Sequence, residues 1–178
     1  MTGPGLRIAH VSDLHVLAPG GVEWRRIVFN KRITGYANLL LSRGRVYRRD
    51  YLVAVLAAAA GAADQLVVTG DITNLSLERE FAAARDLLDG AAASIEVTVV
   101  PGNHDTYLPA LHRSGRFAAH FGRFVQGDLA ELAIDLPAGR YPFVKLRGPA
   151  AIIALSSAVA RPPFVSSDRN FGMVEYRS

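Results

Sequence analysis

The sequence predicts an α/β fold, because three apolar runs are separated by helical patterns and end in turn residues. Residues 6–11, 66–69 and 95–100 are mostly apolar and rich in β-branched side chains, which is typical of buried strands. Strands that alternate with helices form parallel sheets with right-handed crossovers. The chain has 178 residues, half of them apolar, and we expect residues 1–178 to form a single domain with one core.

The first predicted strand leads into a long basic connection, residues 19–50. Between 25 and 49 it carries eight arginine or lysine side chains, and the only acidic residue between 19 and 49 is Glu23. Three functions fit this composition: a solvated lid or helical hairpin over an active site, a surface that attracts nucleic acid or another phosphate-rich ligand, and attachment to anionic lipid. A basic insert or lid is the interpretation that we expect.

Two helices are predicted between the strands. Asp50 caps the first, residues 51–62, whose nearly all-apolar surface predicts packing against the sheet. Ser76 caps the second, which runs to Asp89 and ends at Gly90.

After the third strand the alternation gives way to one short helix and a series of strands. Residues 114–124 form the predicted helix, with Phe117, Phe121 and Phe124 on its buried side. Three further strands are predicted at 132–136, 143–146 and 150–155, with turn residues at 137–139 and 148–149 between them.

The chain contains no cysteine, which excludes disulfides and thiolate metal sites and leaves oxygen and imidazole as metal ligands. We therefore expect a cytoplasmic protein. The first ten residues lack the pattern of a signal peptide, and the apolar run 52–63 is far shorter than the ~20 residues that span a bilayer. No transmembrane span is predicted.

Each of the first three predicted strands is followed directly by carboxylate, imidazole or amide side chains. Asp13 and His15 follow the first strand, and in extended backbone their spacing points both side chains the same way. Asp71 follows the second strand and Asn103 the third. Because the carboxyl ends of parallel strands meet at one edge of a sheet, these side chains are expected to converge.

The ligand types in these clusters suit two divalent metal ions drawn from Mn, Fe, Zn or Mg. One Asp can bridge two cations through its two oxygens. Two cations roughly 3.5–4 Å apart hold a phosphoryl group while one lowers the pKa of a bound water, so such a site favours phosphoester hydrolysis. Gly70 and Gly102 precede Asp71 and Asn103, where the absence of a Cβ lets the backbone approach the metals.

Three motifs resemble the first three signature blocks of the calcineurin-like metallophosphoesterase superfamily, in the family's order. They are Asp13-Leu14-His15, Gly70-Asp71-Ile72-Thr73-Asn74 and Gly102-Asn103-His104-Asp105. The resemblance implies a metallophosphoesterase-type β-sandwich flanked by helices, in αββα layers. Residues 155–157 resemble the bacterial cyclic-nucleotide phosphodiesterase branch.

The resemblance also implies a role for each residue of a dinuclear metal centre. Asp13 and His15 bind the first metal. Asp71 bridges the two metals, and Asn103 binds the second.

The two remaining residues of the third motif are implied to be catalytic. His104 is not a ligand but faces the substrate, where it stabilises the phosphoryl oxygens or protonates the leaving group. Asp105 orients the ring of His104.

The chain departs from the family pattern after the third motif. Family members carry a later His and a final Gly-His-x-His, whereas here no histidine follows His120. The first metal thus lacks one ligand and the second lacks two. We expect a domain truncated before its C-terminal His motifs, with the second sheet partly missing. His112 and His120 lie on a predicted surface helix and its approach, where we expect them to be solvated.

The leading hypothesis is a metal-dependent phosphoesterase that hydrolyses a phosphomonoester or a phosphodiester such as a cyclic nucleotide, with activity impaired by the missing ligands. The alternative is a catalytically inactive binding or regulatory module of the same fold. A second alternative is a nuclease, with the basic segment 25–49 as its strand-binding surface. The small phosphoester is the expected partner, and the sequence does not select an oligomeric state.

Overall fold

The structure, a computed structural model, describes residues 5–18, 49–106, 109–136 and 138–158. The predicted α/β class is confirmed. In chain order the elements are β1 (Ile8–Val11), α1 (Arg49–Ala62), β2 (Gln65–Thr69), α2 (Glu78–Ala92), β3 (Glu96–Val100), α3 (Pro109–Arg113), α4 (Arg116–Phe121), β4 (Ile134–Leu136), β5 (Gly139–Tyr141), β6 (Phe143–Arg147) and β7 (Ala150–Ala154), with 3-10 turns at Gly122–Phe124 and Ala130–Leu132.

The first three strands form a parallel sheet in the order β1-β2-β3, as the alternation with helices predicts. The register pairs Val11 with Val68 and Thr69 with Val100, so the three strands end close together. Most side chains of β2 and β3 are buried, which explains their continuous apolar runs. The polar loops that follow the strands therefore leave the sheet at one edge.

The core forms where the helices cover this sheet. Phe81 of α2 is fully buried. Phe117 and Phe121 of α4 and Phe124 of the next turn are buried as predicted, although the chain there is a short helix and a 3-10 turn rather than one continuous helix. In the described part of α1, Leu56 is the one buried residue. The predicted packing of α1 against the sheet is confirmed, but it uses only one stripe of the helix, and the rest of the apolar surface of α1 is exposed or partly exposed.

Two antiparallel hairpins, β4-β5 and β6-β7, lie where the sequence predicts the strands of a second sheet. Strand β5 begins at Gly139, a residue that was predicted to lie in a turn. Lys145 ties β6 to β3, because its Nζ donates a hydrogen bond to the Val97 carbonyl at 3.0 Å. Arg147 adds an ion pair to Glu96, with 2.5 Å between Nε and Oε2.

Both predicted ends of α2 differ in the structure. Leu77 rather than Ser76 is the N-cap, and the Glu80 carboxylate accepts the Leu77 backbone N–H at 3.1 Å. The helix also continues through Gly90 to Ala92. Alanine is the strongest helix former and a glycine inside a helix costs only about 1 kcal/mol, so Gly90 does not end it.

The basic connection, residues 19–50, lies outside the described residues except for Arg49 and Asp50, which already belong to α1. Asp50 is therefore in the first turn of α1 rather than its cap. Nowhere in the described ranges is a helix long and apolar enough to cross a membrane.

His120 is not solvated, contrary to expectation. Its Nε2 donates to Glu78 Oε1 at 2.6 Å, and its ring stacks on Phe81 with the centroids 5.4 Å apart. The side chain is 12% exposed. Because α4 packs beside α2, the side of α4 that carries His120 faces α2 rather than solvent.

Candidate metal centre

The loops that follow β1 and β2 continue the hydrogen-bonded pairing of the strands. The backbone N–H of His15 donates to the Asp71 carbonyl at 2.9 Å, and that of Val16 donates to the Ile72 carbonyl at 2.8 Å. The two polar motifs are therefore joined along the backbone, which brings their side chains to the same edge of the sheet.

Asp13, His15 and Asp71 form a cluster of candidate metal ligands, which we call the metal cluster. One ligand atom from each of the three lies within 4.8 Å of the others. His15 Nε2 is 3.6 Å from Asp13 Oδ1. The His15 ring is buried and Asp13 is exposed, so the cluster has a fixed inner side and an open outer side. Two carboxylates and an imidazole are a donor set that fits Zn²⁺, Mn²⁺ or Fe²⁺.

All three residues of the cluster have left-handed backbone, with φ of 56° at Asp13, 41° at His15 and 49° at Asp71. The expectation that extended backbone aligns Asp13 with His15 is wrong. Left-handed backbone at residues other than glycine costs free energy and concentrates at functional sites, where the surrounding structure holds it. Here the pairing between the two loops holds it.

Gly70 and Gly102 make the loops after β2 and β3 meet. A Cβ at Gly102 would lie 2.2 Å from Asp71 N and 2.2 Å from Asp71 Oδ1. A Cβ at Gly70 would lie 2.6 Å from the Cα of Gly102. The sequence predicted that these glycines give room to the metals, whereas the structure uses them for close contact between the two loops. Gly102 leaves the space that the Asp71 carboxylate occupies.

Asn103 lines the same cleft as Asp13 and Asp71, a cavity of about 300 Å³ at the ends of the strands. Leu155 and Ser157, which follow β7, also line it. The three motifs thus reach one site, as expected from their places after the strands. That Asn103 is a ligand stays a prediction.

His104 is held through both its backbone and its ring. Its N–H donates to Asp71 Oδ1 at 2.9 Å, and its ring Nδ1 lies 2.5 Å from the Asn74 carbonyl oxygen. Because a carbonyl oxygen only accepts, Nδ1 carries the proton, and the lone pair of the neutral ring is on Nε2. The ring also meets His15 edge to face.

Asp105 is buried and anchors the loop instead of orienting the His104 ring. Its carboxylate accepts the backbone N–H groups of Thr73 at 2.8 Å, Gly102 at 2.9 Å and Ile72 at 3.2 Å. Burial raises the pKa of Asp105 to about 6, against the effect of these hydrogen bonds. In the described part of the chain, the ring contact that the resemblance implied for Asp105 is made by Asn74.

Sequence reasoning missed the roles of Asn74 and Ser76. Asn74 acts through its backbone carbonyl, for which its side chain gives no signal. The Ser76 hydroxyl donates to the His104 carbonyl oxygen, whereas the sequence favoured a helix cap. The three-residue spacing to Arg79 rather than to an acid argues against a capping box that begins at Ser76.

Two comparisons with known proteins bear on this site. A family model described as calcineurin-like phosphoesterase matches residues 6–158, which include the three motifs and every strand of the structure. No curated protein matches the chain.

Proposed function

Since the chain belongs to the calcineurin-like phosphoesterase family, we propose that it hydrolyses phosphoesters with divalent metal ions held in the cleft at the strand ends. The observation that carries the proposal is the convergence of Asp13, His15 and Asp71, whose ligand atoms lie within 4.8 Å of one another. The family match by itself implies only the class of reaction. The cluster supplies side chains of the right kind, close together, to bind the metal ions for that reaction.

We propose a centre of two metal ions. Asp13 and His15 would hold the first, Asp71 would bridge, and Asn103 would hold the second. When bound, such cations supply Lewis-acid polarisation of the phosphoryl oxygens and make water a stronger acid. The open side of the cluster at Asp13 and the cleft beside Asn103 support this arrangement, because a phosphoester can enter from there.

His104 is proposed to act on the substrate, by stabilising the phosphoryl oxygens or by protonating the leaving group. Its ring lies against His15, next to the cluster. The Asn74 carbonyl fixes the Nδ1 end of the ring, so Nε2 is the atom that we assign to the substrate. Both roles require the imidazolium form of the ring, in which Nε2 also carries a proton that it donates. Asp105 is proposed to serve the reaction indirectly, by holding the loop that carries His104.

The substrate class within this reaction is a further proposal. A phosphodiester, with a cyclic nucleotide as one example, fits the resemblance of residues 155–157 to the cyclic-nucleotide branch, and Leu155 and Ser157 line the cleft. Because no histidine follows His120 in the sequence, we propose that residues 1–178 hydrolyse such substrates only weakly. A cytoplasmic location stays a prediction.

The test is hydrolysis of bis-p-nitrophenyl phosphate, p-nitrophenyl phosphate, cyclic AMP and single-stranded DNA with added Mn²⁺. Activity that is lost in Asp71→Asn and kept in Asp86→Asn, an exposed substitution on α2, supports the proposal. Mn²⁺ binding without hydrolysis, in this chain and in one extended by the gene sequence that follows, would favour the regulatory module instead. Cleavage of DNA alone would favour the nuclease. Absence of both Mn²⁺ binding and hydrolysis would refute the proposal.

A further inference from the structure

Arg116 of α4 contacts the segment beside the candidate metal centre without belonging to the metal cluster. Its Nη1 donates a hydrogen bond to the Ser76 carbonyl oxygen at 3.1 Å. Its Nε forms an ion pair with Glu78 Oε2 at 2.9 Å. The Arg116 side chain is only 18% exposed, so its guanidinium is held in a covered place rather than in solvent. Arg116 thus connects α4 to the segment 73–76, which joins the second motif to α2.

Ser76 is the residue through which this contact reaches the site. It is fully buried and has a φ of 52°, a left-handed conformation that a serine adopts only where its surroundings hold it. The Glu80 carboxylate accepts the N–H groups of the residues on both sides of Ser76, Leu75 at 2.8 Å and Leu77 at 3.1 Å. Arg116 donates to the Ser76 carbonyl, which lies between these two N–H groups along the chain. The hydroxyl that is fixed in this way donates to the His104 carbonyl oxygen.

The same segment also holds the His104 ring. Asn74, two residues before Ser76, accepts the hydrogen bond from Nδ1 at 2.5 Å. The segment 73–76 therefore contacts His104 at two points, its carbonyl and its ring. A displacement of Ser76 changes the place and the angle at which the ring meets the Asn74 carbonyl.

We propose that Arg116 is a positioning residue for His104 and acts through Ser76. Glu78 orients the Arg116 guanidinium, and His120 fixes Glu78 by donating to its other carboxylate oxygen at 2.6 Å. The contacts run from α4 through Glu78 and Arg116 to Ser76 and then to His104. The importance of Arg116 for catalysis rests on the proposed function. Its effect on the orientation of the His104 ring does not.

The test compares Arg116→Met with Arg123→Met by long-range ¹H–¹⁵N NMR of histidine-labelled protein. Arg123 is a matched control, since it also pairs with an acid of α2, Asp89 Oδ1 at 2.6 Å, and lies seven residues away on the same stretch of chain. The His104 signals are assigned by their loss in His104→Gln. We expect the Nδ1–H tautomer for His104 in the wild-type protein and in Arg123→Met, and a mixture of tautomers in Arg116→Met.

Ser76→Gly is a second variant, which removes the hydroxyl and keeps a residue that tolerates positive φ. It is expected to change the His104 signals in the same direction as Arg116→Met. Wild-type signals of His104 in a folded Arg116→Met, or in Ser76→Gly if Arg116→Met does not fold, would overturn the inference.

Kinetics give an independent readout. A misplaced catalytic group lowers kcat, and we expect about a tenfold fall in Arg116→Met with KM unchanged, and no change in Arg123→Met. A rise in KM with kcat unchanged would contradict positioning of His104. If the wild-type protein hydrolyses no phosphoester, the proposed function fails, and the NMR comparison still decides whether Arg116 positions the ring.

Discussion

The imidazole rings of His15 and His104 meet edge to face, with their centroids 4.8 Å apart and their planes at 86°. His15 follows β1 and His104 follows β3, so the contact joins the two outer strands of the parallel sheet across the end of β2. It also places the proposed metal ligand against the proposed substrate-facing residue. The two roles can therefore be separated by substitution of one ring at a time.

His104→Gln tests the role on the substrate. We expect kcat to fall by roughly 10²–10⁴-fold, the usual contribution of a general acid or base, while the affinity for Mn²⁺ stays unchanged. Steady-state kinetics and calorimetric titration with Mn²⁺ measure the two effects. His112→Gln serves as the control and is expected to keep both parameters. A large loss of Mn²⁺ affinity in His104→Gln would instead make His104 a ligand.

Asp71→Asn tests the proposed bridging role of Asp71. The amide oxygen can still accept the His104 N–H, which Asp71 Oδ1 accepts at 2.9 Å, so we expect the fold to survive. Loss of the negative charge should weaken Mn²⁺ binding by more than about 100-fold. This is a larger effect than the loss of a residue that only hydrogen-bonds to a metal ligand. Titration with Mn²⁺ measures it, with Asp86→Asn as the control. Unaltered affinity would rule out Asp71 as a ligand.

Gly102→Ala tests the close contact of the loops after β2 and β3. The new Cβ would lie 2.2 Å from both the backbone N and Oδ1 of Asp71, so the loops must separate. We expect a loss of about 1–3 kcal/mol in the free energy of unfolding, as for other overpacked sites, together with weaker Mn²⁺ binding. Gly90→Ala is the control: nothing lies within 4 Å of its added Cβ inside α2, and it should stabilise the protein by up to about 1 kcal/mol.

Asp105→Ala tests whether Asp105 anchors the loop that carries His104. The substitution leaves the N–H groups of Ile72, Thr73 and Gly102 without the acceptor that they have now. Each unsatisfied buried donor costs about 1–3 kcal/mol, so we expect a loss of at least about 3 kcal/mol in urea unfolding. A loss below about 1 kcal/mol would mean that Asp105 is not a structural anchor. Asp135→Ala, on the exposed strand β4, should have little effect.

Glu96→Gln tests the ion pairs between β3 and β6. The hydrogen bond from Arg147, and then the contact with Lys145, hold the pKa of Glu96 below its ordinary value of 4.5. Because the folded-state pKa is lowered, the stabilisation is present above the unfolded-state pKa and is lost as the pH falls through the folded-state value. We expect Glu96→Gln to lose about 1 kcal/mol at pH 7, a modest value since Glu96 is partly exposed, and less at an acid pH below the folded-state pKa.

The control for this measurement is Glu131→Gln, on the exposed 3-10 turn Ala130–Leu132. It should unfold like the wild-type protein at both pH values. A difference between wild-type and Glu96→Gln that persists undiminished in acid would show that the carboxylate charge is not the source of the stabilisation.

The sequence by itself determined the class of the fold and the place of the site. Continuous apolar runs with turn residues after them indicate buried parallel strands, because both faces of such strands are covered. The polar residues that follow three parallel strands have to meet at one edge of the sheet. Asp13, Asp71 and Asn103 could therefore be assigned to one site from their order along the chain.

Only the tertiary structure decided what each residue of the site touches. Asp105 could be recognised as part of a motif, but its partners include backbone N–H groups from a different loop. His104 is oriented by the carbonyl of Asn74, and every residue has such a carbonyl. The link from Arg116 to Ser76 spans 40 residues. Contacts of this kind depend on how separate segments pack, which no local pattern of residue types encodes.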